Sequence, residues 1–302
     1  MNNAANTAST AKASDASAAI DAATRLLTGP VTDARRLGSS VYLLITRAKP
    51  LIAKRGAGEG AAVAEAAGLH WLGEHGDVPV PTVLGYDDEW LVMEYIPADN
   101  PGKHAAEELG RGLAALHLRG APAYGSPPPD GPADAWMGLA PMRNEACADW
   151  ASFYAAHRIE PYVRSCVDQG LFTIAEAAVF DAVCARLPEL GGEPEPPARL
   201  HGDAWTGNVL WGRDDHAWLI DPAAHGGHRE ADLAMLRMFG TPLLDHVLGG
   251  YAEAATDAGS PLADGWHDRV DLHQLFPLLM HAAVFGGGYA RDALVAARRC
   301  TS

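Results

Sequence analysis

The stretch that most narrows what this chain can fold into is His201-Gly202-Asp203-Ala204-Trp205-Thr206-Gly207-Asn208, followed after a short hairpin by Leu219-Ile220-Asp221-Pro222. By residue type it is H-x-D-x-x-x-x-N and then an aspartate at the end of an apolar strand. Transfer of a phosphoryl group to a hydroxyl needs these groups at this spacing. One aspartate accepts the hydroxyl proton. An asparagine one loop away reaches a magnesium ion with its amide oxygen. A second carboxylate, from a neighbouring strand, bridges metal and phosphates. Asp203 is the candidate general base, and Asn208 and Asp221 are the candidate metal ligands. Singly, each also fits a turn or a helix cap; together they point to ATP- and Mg²⁺-dependent chemistry. His201 braces the loop.

A nucleotide site needs a lysine and a carboxylate to hold it. Lys54 ends the apolar run Leu51-Ile52-Ala53, and Glu65 lies among alanines in the following helical segment, so a Lys54–Glu65 ion pair is expected against the phosphates. Glu59 competes for that part but sits in a glycine-flanked loop. Gly38, Ser39 and Ser40, ahead of the first expected strand, are the candidate phosphate-covering loop, although the segment has one glycine where such loops have three. Met93, Glu94, Tyr95 and Ile96, at the end of an apolar strand, are placed where backbone groups would meet the adenine edge. Trp205 either faces the acceptor or packs on the helical part of the protein.

Organisation along the chain agrees. Residues 1–18, rich in Ala, Ser, Thr and Asn, read as a flexible leader or frayed helix. Ala19–Leu27 is a short helix. Ser40–Arg47 and Leu51–Lys54 form a hairpin, Ala61–Glu74 is a helix with Val63, Ala67, Leu69 and Leu72 on its stripe, and Val83–Tyr86 and Glu89–Tyr95 are strands. A Pro/Asp/Gly stretch, Pro97 to Gly102, marks a boundary between a nucleotide-binding lobe, 19–97, and a helical catalytic and substrate lobe, 98–302. In the second lobe, helices are expected over His104–Leu118, over Asn144–Gln169 with a break at Pro161, and from an N-cap at Thr173 to Leu190. Three or four more follow Glu230, divided at Gly249-Gly250, Gly259-Ser260-Pro261 and Gly286-Gly287-Gly288. The fold class is therefore α+β, two-lobed, with a small β-rich lobe carrying one helix and a larger, mainly helical lobe.

A formal net charge of −15 argues against sequence-independent nucleic-acid binding and against docking on an anionic membrane. The four cysteines form no C-x-x-C and look like thiols of a reducing compartment. His225 and His228 lack a convincing ligand set with His201 and are taken as structural. Without a spanning segment or an apolar signal region, a cytoplasmic location is the expectation, with no obligate protein partner.

Leu200-His201-Gly202-Asp203-Ala204-Trp205-Thr206-Gly207-Asn208-Val209 resembles the H-G-D-L-W-S-G-N segment of the fructosamine (ketosamine) kinases. Ile220-Asp221-Pro222-Ala223 through Gly227-His228-Arg229-Glu230-Ala231-Asp232-Leu233-Ala234-Met235 resembles their D-P-A-x-x-x-G-x-R-E-x-D-L-A-M block. Leu91–Tyr95 resembles their hinge, and His281 through Phe285-Gly286-Gly287-Gly288-Tyr289 their C-terminal signature. The H-G-D-x-x-x-x-N part is shared with aminoglycoside phosphotransferases and choline kinases. The resemblance implies a protein-kinase-like fold and ATP-dependent phosphorylation of a ketosamine sugar, fructosamine or ribulosamine, free or on a glycated protein lysine, leading to deglycation. It carries the base onto Asp203, the magnesium ligands onto Asn208 and Asp221, and the lysine pair onto Lys54 and Glu65. Ala204 and Thr206 stand where the family has Leu and Ser, and the nucleotide loop is glycine-poor. The alternatives are an aminoglycoside or other amino-alcohol kinase, and a kinase-fold binding protein with little activity.

Overall fold

The computed structural model describes residues 15–301, and the part of the leader ahead of residue 15 lies outside them. A five-stranded antiparallel sheet comes first, in the order β1-β2-β3-β5-β4. Its strands are β1 (Val31–Arg36), β2 (Val41–Thr46), β3 (Leu51–Arg55), β4 (Val83–Tyr86) and β5 (Trp90–Glu94). Alternation decides what each face does. Leu51, Ala53, Trp90 and Val92 turn to α1 (15–26), which buries Ala19, Ala22 and Ala23 against them. Ile52, Leu91 and Met93 turn to the opposite side, against Ala62, Ala66 and Leu69 of α2 (Ala61–Gly73). The first helix reaches back to residue 15, four residues ahead of the amphipathic pattern at Ala19.

The sequence pattern held β2 to be the first strand, and β1 was not visible in it. Val31-Thr32-Asp33-Ala34-Arg35-Arg36 is an edge strand with four of its six residues exposed, so it carries no alternating apolar signal. Its presence makes Leu37–Ser40 the turn of the β1–β2 hairpin.

After β5 the chain runs through Pro97–Asp99, which bonds to Trp211, Gly212 and Arg213 of a later hairpin, and enters α3 (Lys103–Leu118). The proline-rich segment leads into β6 (Asp134–Met137) and β7 (Ala140–Arg143), a hairpin where no element was expected. It buries Ala135, Met137, Ala140 and Met142 and exposes Asp134, Leu139, Pro141 and Arg143. The expected helix from Asn144 consequently starts later. It runs as α4 (Trp150–Phe153), a π-helical turn (Tyr154–Ile159) and α5 (Glu160–Asp168). Pro161, which has no N–H to donate, stands in the first turn of α5, and the wide turn just ahead absorbs the break.

The remainder is α6 (Ile174–Leu190), β8 (Ala198–Leu200), β9 (Val209–Trp211), β10 (Ala217–Leu219), β11 (His225–Gly227), α7 (Glu230–Met238), α8 (Leu244–Asp257), α9 (Val270–Phe285) and α10 (Gly288–Thr301). Among the described residues four α-helices run from Glu230 onward, where three or four were expected, but the divisions differ. Gly249-Gly250 lies inside α8, because Gly250 is where α8 touches α3: a Cβ there would stand 2.3 Å from Glu107 O. The break falls instead at 240–243, where Leu243 takes a φ of 55°. Two large apolar clusters fill the helical lobe, one around Phe153, Phe180, Leu275 and Leu279, the other around Leu109, Leu113, Val247 and Tyr251. The four cysteines are free thiols. No helix among the described residues is long and apolar enough to cross a membrane.

Thr173 caps α6 as expected, and Glu176 completes a capping box: Glu176 N donates to Thr173 Oγ1 at 3.2 Å and Thr173 N to Glu176 Oε2 at 2.9 Å. Thr173→Ala is expected to cost about 1 kcal/mol of stability, measured as a lower urea midpoint at unchanged slope.

Candidate functional site

Three elements meet at one ammonium group. Lys54 shares the face of β3 that Ile52 turns to α2, and its Nζ lies 2.7 Å from Glu65 Oε2 and 2.9 Å from Asp221 Oδ1. Burial alone would lower the lysine, but the two carboxylates outweigh it and hold Lys54 above its ordinary range, as a firm cation. Asp221 follows β10 with a φ of 54°. That left-handed conformation costs a non-glycine residue about 1–2 kcal/mol and marks a position held by its surroundings. Glu59, the competing glutamate, stays in the loop ahead of α2.

Asn208 joins the two aspartates. Its Nδ2 donates to Asp203 O and Asp203 Oδ2, both at 2.9 Å, and to Asp221 O at 3.5 Å. The amide nitrogen makes all three bonds, so the amide oxygen is the atom turned to the other side. With a carboxylate on Asp221 beside it, the donor set is oxygen only, which fits a hard divalent cation such as Mg²⁺ and not a thiolate-loving metal. Asp203 is itself buried. Burial pushes its carboxyl well above the ordinary range, the Asn208 bond pulls it back, and the charges of Asp221 and Asp232 push it up again. A raised carboxyl is a more willing proton acceptor.

A second layer fixes this loop. His201 Nε2 meets Ile220 O at 3.0 Å and Nδ1 accepts from Asp203 N at 3.3 Å. A carbonyl only accepts, so the ring is the neutral Nε2–H tautomer, in keeping with the burial that lowers its pKa. Asp232, 1% exposed, accepts from His201 N at 2.8 Å and from Gly202 N at 2.9 Å. His117 Nε2 on α3 closes on Asp232 Oδ2 at 3.1 Å, and its Nδ1 meets the Tyr251 hydroxyl on α8 at 2.9 Å. Burial opposes the charge on Asp232, but the His117 contact, the two imidazoles and the Gly202 N–H together hold it below the usual range. Gly202 is required here: its φ is 82°, and a Cβ would stand 2.1 Å from Ala223 O.

At the nucleotide loop, Leu37 N and Gly38 N both donate to Val41 O, at 2.8 and 3.2 Å, which turns them into the hairpin and leaves Ser39 and Ser40 at the tip. Arg36, which the sequence did not single out, donates from Nε to Gly38 O at 2.8 Å and from Nη2 to Ser39 O at 2.7 Å, shaping that tip. In the hinge segment Met93 is buried in the sheet, Glu94 Oε2 accepts from Thr82 Oγ1 at 3.0 Å, and Tyr95 packs beside the α2 cluster, with Ile96 buried after it. Trp205 packs on the helical lobe, standing edge-on to Phe239 at 5.5 Å, and stays partly exposed. Phe239 meets His281 at 5.7 Å, and His281 meets Tyr289 at 4.9 Å.

His225 and His228 are buried, the first against Phe153 and the second against Trp150. His228, Glu230 and His273 offer ligand atoms within 4.8 Å of one another. Arg269 already spans both Glu230 oxygens, at 2.5 and 2.8 Å, so that carboxylate has its cation. His117 and Tyr251 gave no sequence signal beyond positions on helix stripes, since 134 residues separate them.

A sequence profile described as fructosamine kinase matches residues 5–301. The chain belongs to the fructosamine kinase family. A probable ketoamine kinase of Enterococcus faecium is 32% identical over 232 residues, covering 75% of this chain and 78% of the relative. A chloroplastic protein-ribulosamine 3-kinase of Arabidopsis thaliana is 28% identical, over 76% of this chain and 69% of the relative. A crystal structure from Thermobifida fusca, named for fructosamine-3-kinase, superposes with a TM-score of 0.86 at 43% identity, covering 93% of this chain and 98% of that one. Choline kinase LicA of Streptococcus pneumoniae, at 17% identity and a TM-score of 0.64, shares the fold. The protein-kinase-like fold expected from the sequence is thereby established.

Asp232→Asn leaves part of the His201–Gly202 backbone without its charged acceptor and should cost about 1–3 kcal/mol. The carboxyl of Asp232 lies below its ordinary value. Its contribution is therefore full above the ordinary aspartate range and is lost as pH falls through the folded value. Urea midpoints below about pH 4 should fall more steeply with acid in the wild type than in the variant.

Proposed function

We propose that this chain transfers the γ-phosphoryl group of ATP to a sugar hydroxyl of a ketosamine, fructosamine or ribulosamine, the step that leads to deglycation. Residues 19–97 are the nucleotide-binding lobe and 98–302 the catalytic and substrate lobe. The observation that carries this is the single bonded network linking Lys54, Glu65, Asp221, Asn208 and Asp203. The family supplies the substrate class.

In this assignment Lys54, held by Glu65, places its charge on the α- and β-phosphates. Asp221 and the Asn208 amide oxygen would hold Mg²⁺, which when bound offsets charge on the phosphates. Asn208 fixes one oxygen of Asp203, and the other accepts the proton of the acceptor hydroxyl while orienting it for in-line attack. The Met93–Ile96 backbone takes the adenine edge. The tip at Ser39 and Ser40, with Gly38 beneath it, covers the phosphates. Trp205, backed by Phe239, offers a face to the C–H side of the sugar.

Asp203→Asn should lower turnover by about 10²–10⁴-fold with little change in the affinity for ATP, as read by calorimetry. Full activity in that variant would rule out the mechanism. A coupled ATP-consumption assay over a fructosyl-amine, a ribulosamine, kanamycin and choline tests the acceptor, and a preference for kanamycin or choline would overturn the substrate assignment. At Gly38 a Cβ would meet nothing nearer than Val41 Cβ at 3.8 Å. Gly38→Ala should therefore fold normally and raise KM for ATP, because the added methyl would crowd only what lies outside the hairpin.

A further inference from the structure

The Lys54–Glu65 pair spans two elements, and it survives only while α2 keeps one height and rotation. The sheet holds one face of α2 through Ala62, Ala66 and Leu69. The start of the helix has little local support: Gly60 stands at the N-cap with no side-chain bond, and the first turn carries no acidic residue to meet the helix dipole. What holds that end comes from the helical lobe. The Trp136 ring packs against Gly58, so closely that a Cβ there would come 2.2 Å from Cζ2. Its Nε1 donates to Glu59 O at 3.2 Å. Further along, Gly131 meets Ala67, and Gly68 meets Pro222, the neighbour of Asp221.

The hairpin that carries Trp136 is itself fixed. Tyr162 Oη donates to Pro141 O at 2.8 Å, Arg158 Nη1 donates to Arg143 O at 2.8 Å, and Ala135, Met137, Ala140 and Met142 sit in the main cluster of the helical lobe. It is a rigid arm of one lobe reaching to the helix of the other.

We propose that the β6–β7 hairpin is a built-in clamp on α2, and that Trp136 is a positioning residue which holds Glu65 against Lys54. The inference rests on the phosphotransfer assignment above. In a chain built this way the lysine pair is engaged without a separate activating partner, because the clamp is covalently part of the catalytic lobe. Trp136 acts through Glu65, so its effect appears in the use of ATP and depends on the glutamate being there.

The test is steady-state kinetics of the full chain with Mg²⁺, ATP and a fructosyl-amine, for wild type, Trp136→Ala, Trp136→Phe, Gly58→Ala, Glu65→Gln and the Trp136→Ala/Glu65→Gln pair. Trp136→Ala and Gly58→Ala, which disturb the contact from opposite sides, should each lower kcat/KM for ATP about tenfold, a loss of alignment of the kind positioning residues produce. KM for the acceptor should stay within about twofold. Trp136→Phe should recover part of the loss. In the Glu65→Gln background Trp136→Ala should change kcat/KM for ATP by less than about twofold, since coupled residues are not additive. An unchanged kcat/KM in both Trp136→Ala and Gly58→Ala would overturn the clamp, as would an equal further loss in the Glu65→Gln background. If Trp136→Ala does not fold, Trp136→Phe and Gly58→Ala decide the matter. A wild type that turns over no glycated amine would remove the substrate assignment, and the clamp would then be read from calorimetric affinity for an unhydrolysable ATP analogue across the same variants, with the same expected order.

Discussion

One buried ammonium group organises the cleft. Lys54 comes from the middle of the sheet, Glu65 from the helix that covers it, and Asp221 from the end of a strand in the other lobe, and the three touch at 2.7 and 2.9 Å. Two carboxylates around one cation would be a poor arrangement for stability alone, since taking charge out of water costs more than an isolated pair returns. The excess negative charge suits a site that also receives a divalent cation, and Asn208 is bonded to Asp221 beside it. The strained backbone at Asp221 points the same way, because a left-handed aspartate persists only where its neighbours enforce it.

The catalytic loop is held from behind by a different device. Asp232 takes two backbone N–H groups of the loop on one carboxylate, and the α3–α8 pair delivers His117 to that carboxylate with Tyr251 behind it. A fully satisfied buried polar network of this kind rigidifies its members. The α3–α8 apolar cluster thus holds the base candidate in place through one buried carboxylate. A cavity of about 750 Å³, lined by Trp150, Pro188, Gly191 and Glu195 among others, shares no lining residue with the Lys54 network.

Much of this was legible in the sequence, for identifiable reasons. His201, Asp203, Asn208 and Asp221 sit within 21 residues, so their spacing alone suggested a loop and a strand end. Lys54 and Glu65 were legible because a charged residue closing an apolar strand, and another in an alanine-rich helix, need partners. The N-cap at Thr173 followed from local chemistry. What was hidden depended on tertiary packing. β1 is an exposed edge whose charges mask its pairing, and the β6–β7 hairpin alternates over only four residues a strand. Gly249-Gly250 looked like a break, yet α8 continues through it because α3 needs the space. His117, Tyr251 and Trp136 act across distances that no local pattern records, with 134 residues between the first two and 77 between Trp136 and Glu59.

The most direct test of the central claim is a crystal structure with Mn²⁺ and an unhydrolysable ATP analogue, read by anomalous scattering from the metal. The account predicts one strong peak within coordination distance, about 2.2 Å, of Asn208 Oδ1 and an Asp221 oxygen, with the triphosphate against Lys54. A metal bound elsewhere, with nucleotide outside the cleft between the sheet and the helical lobe, would contradict it.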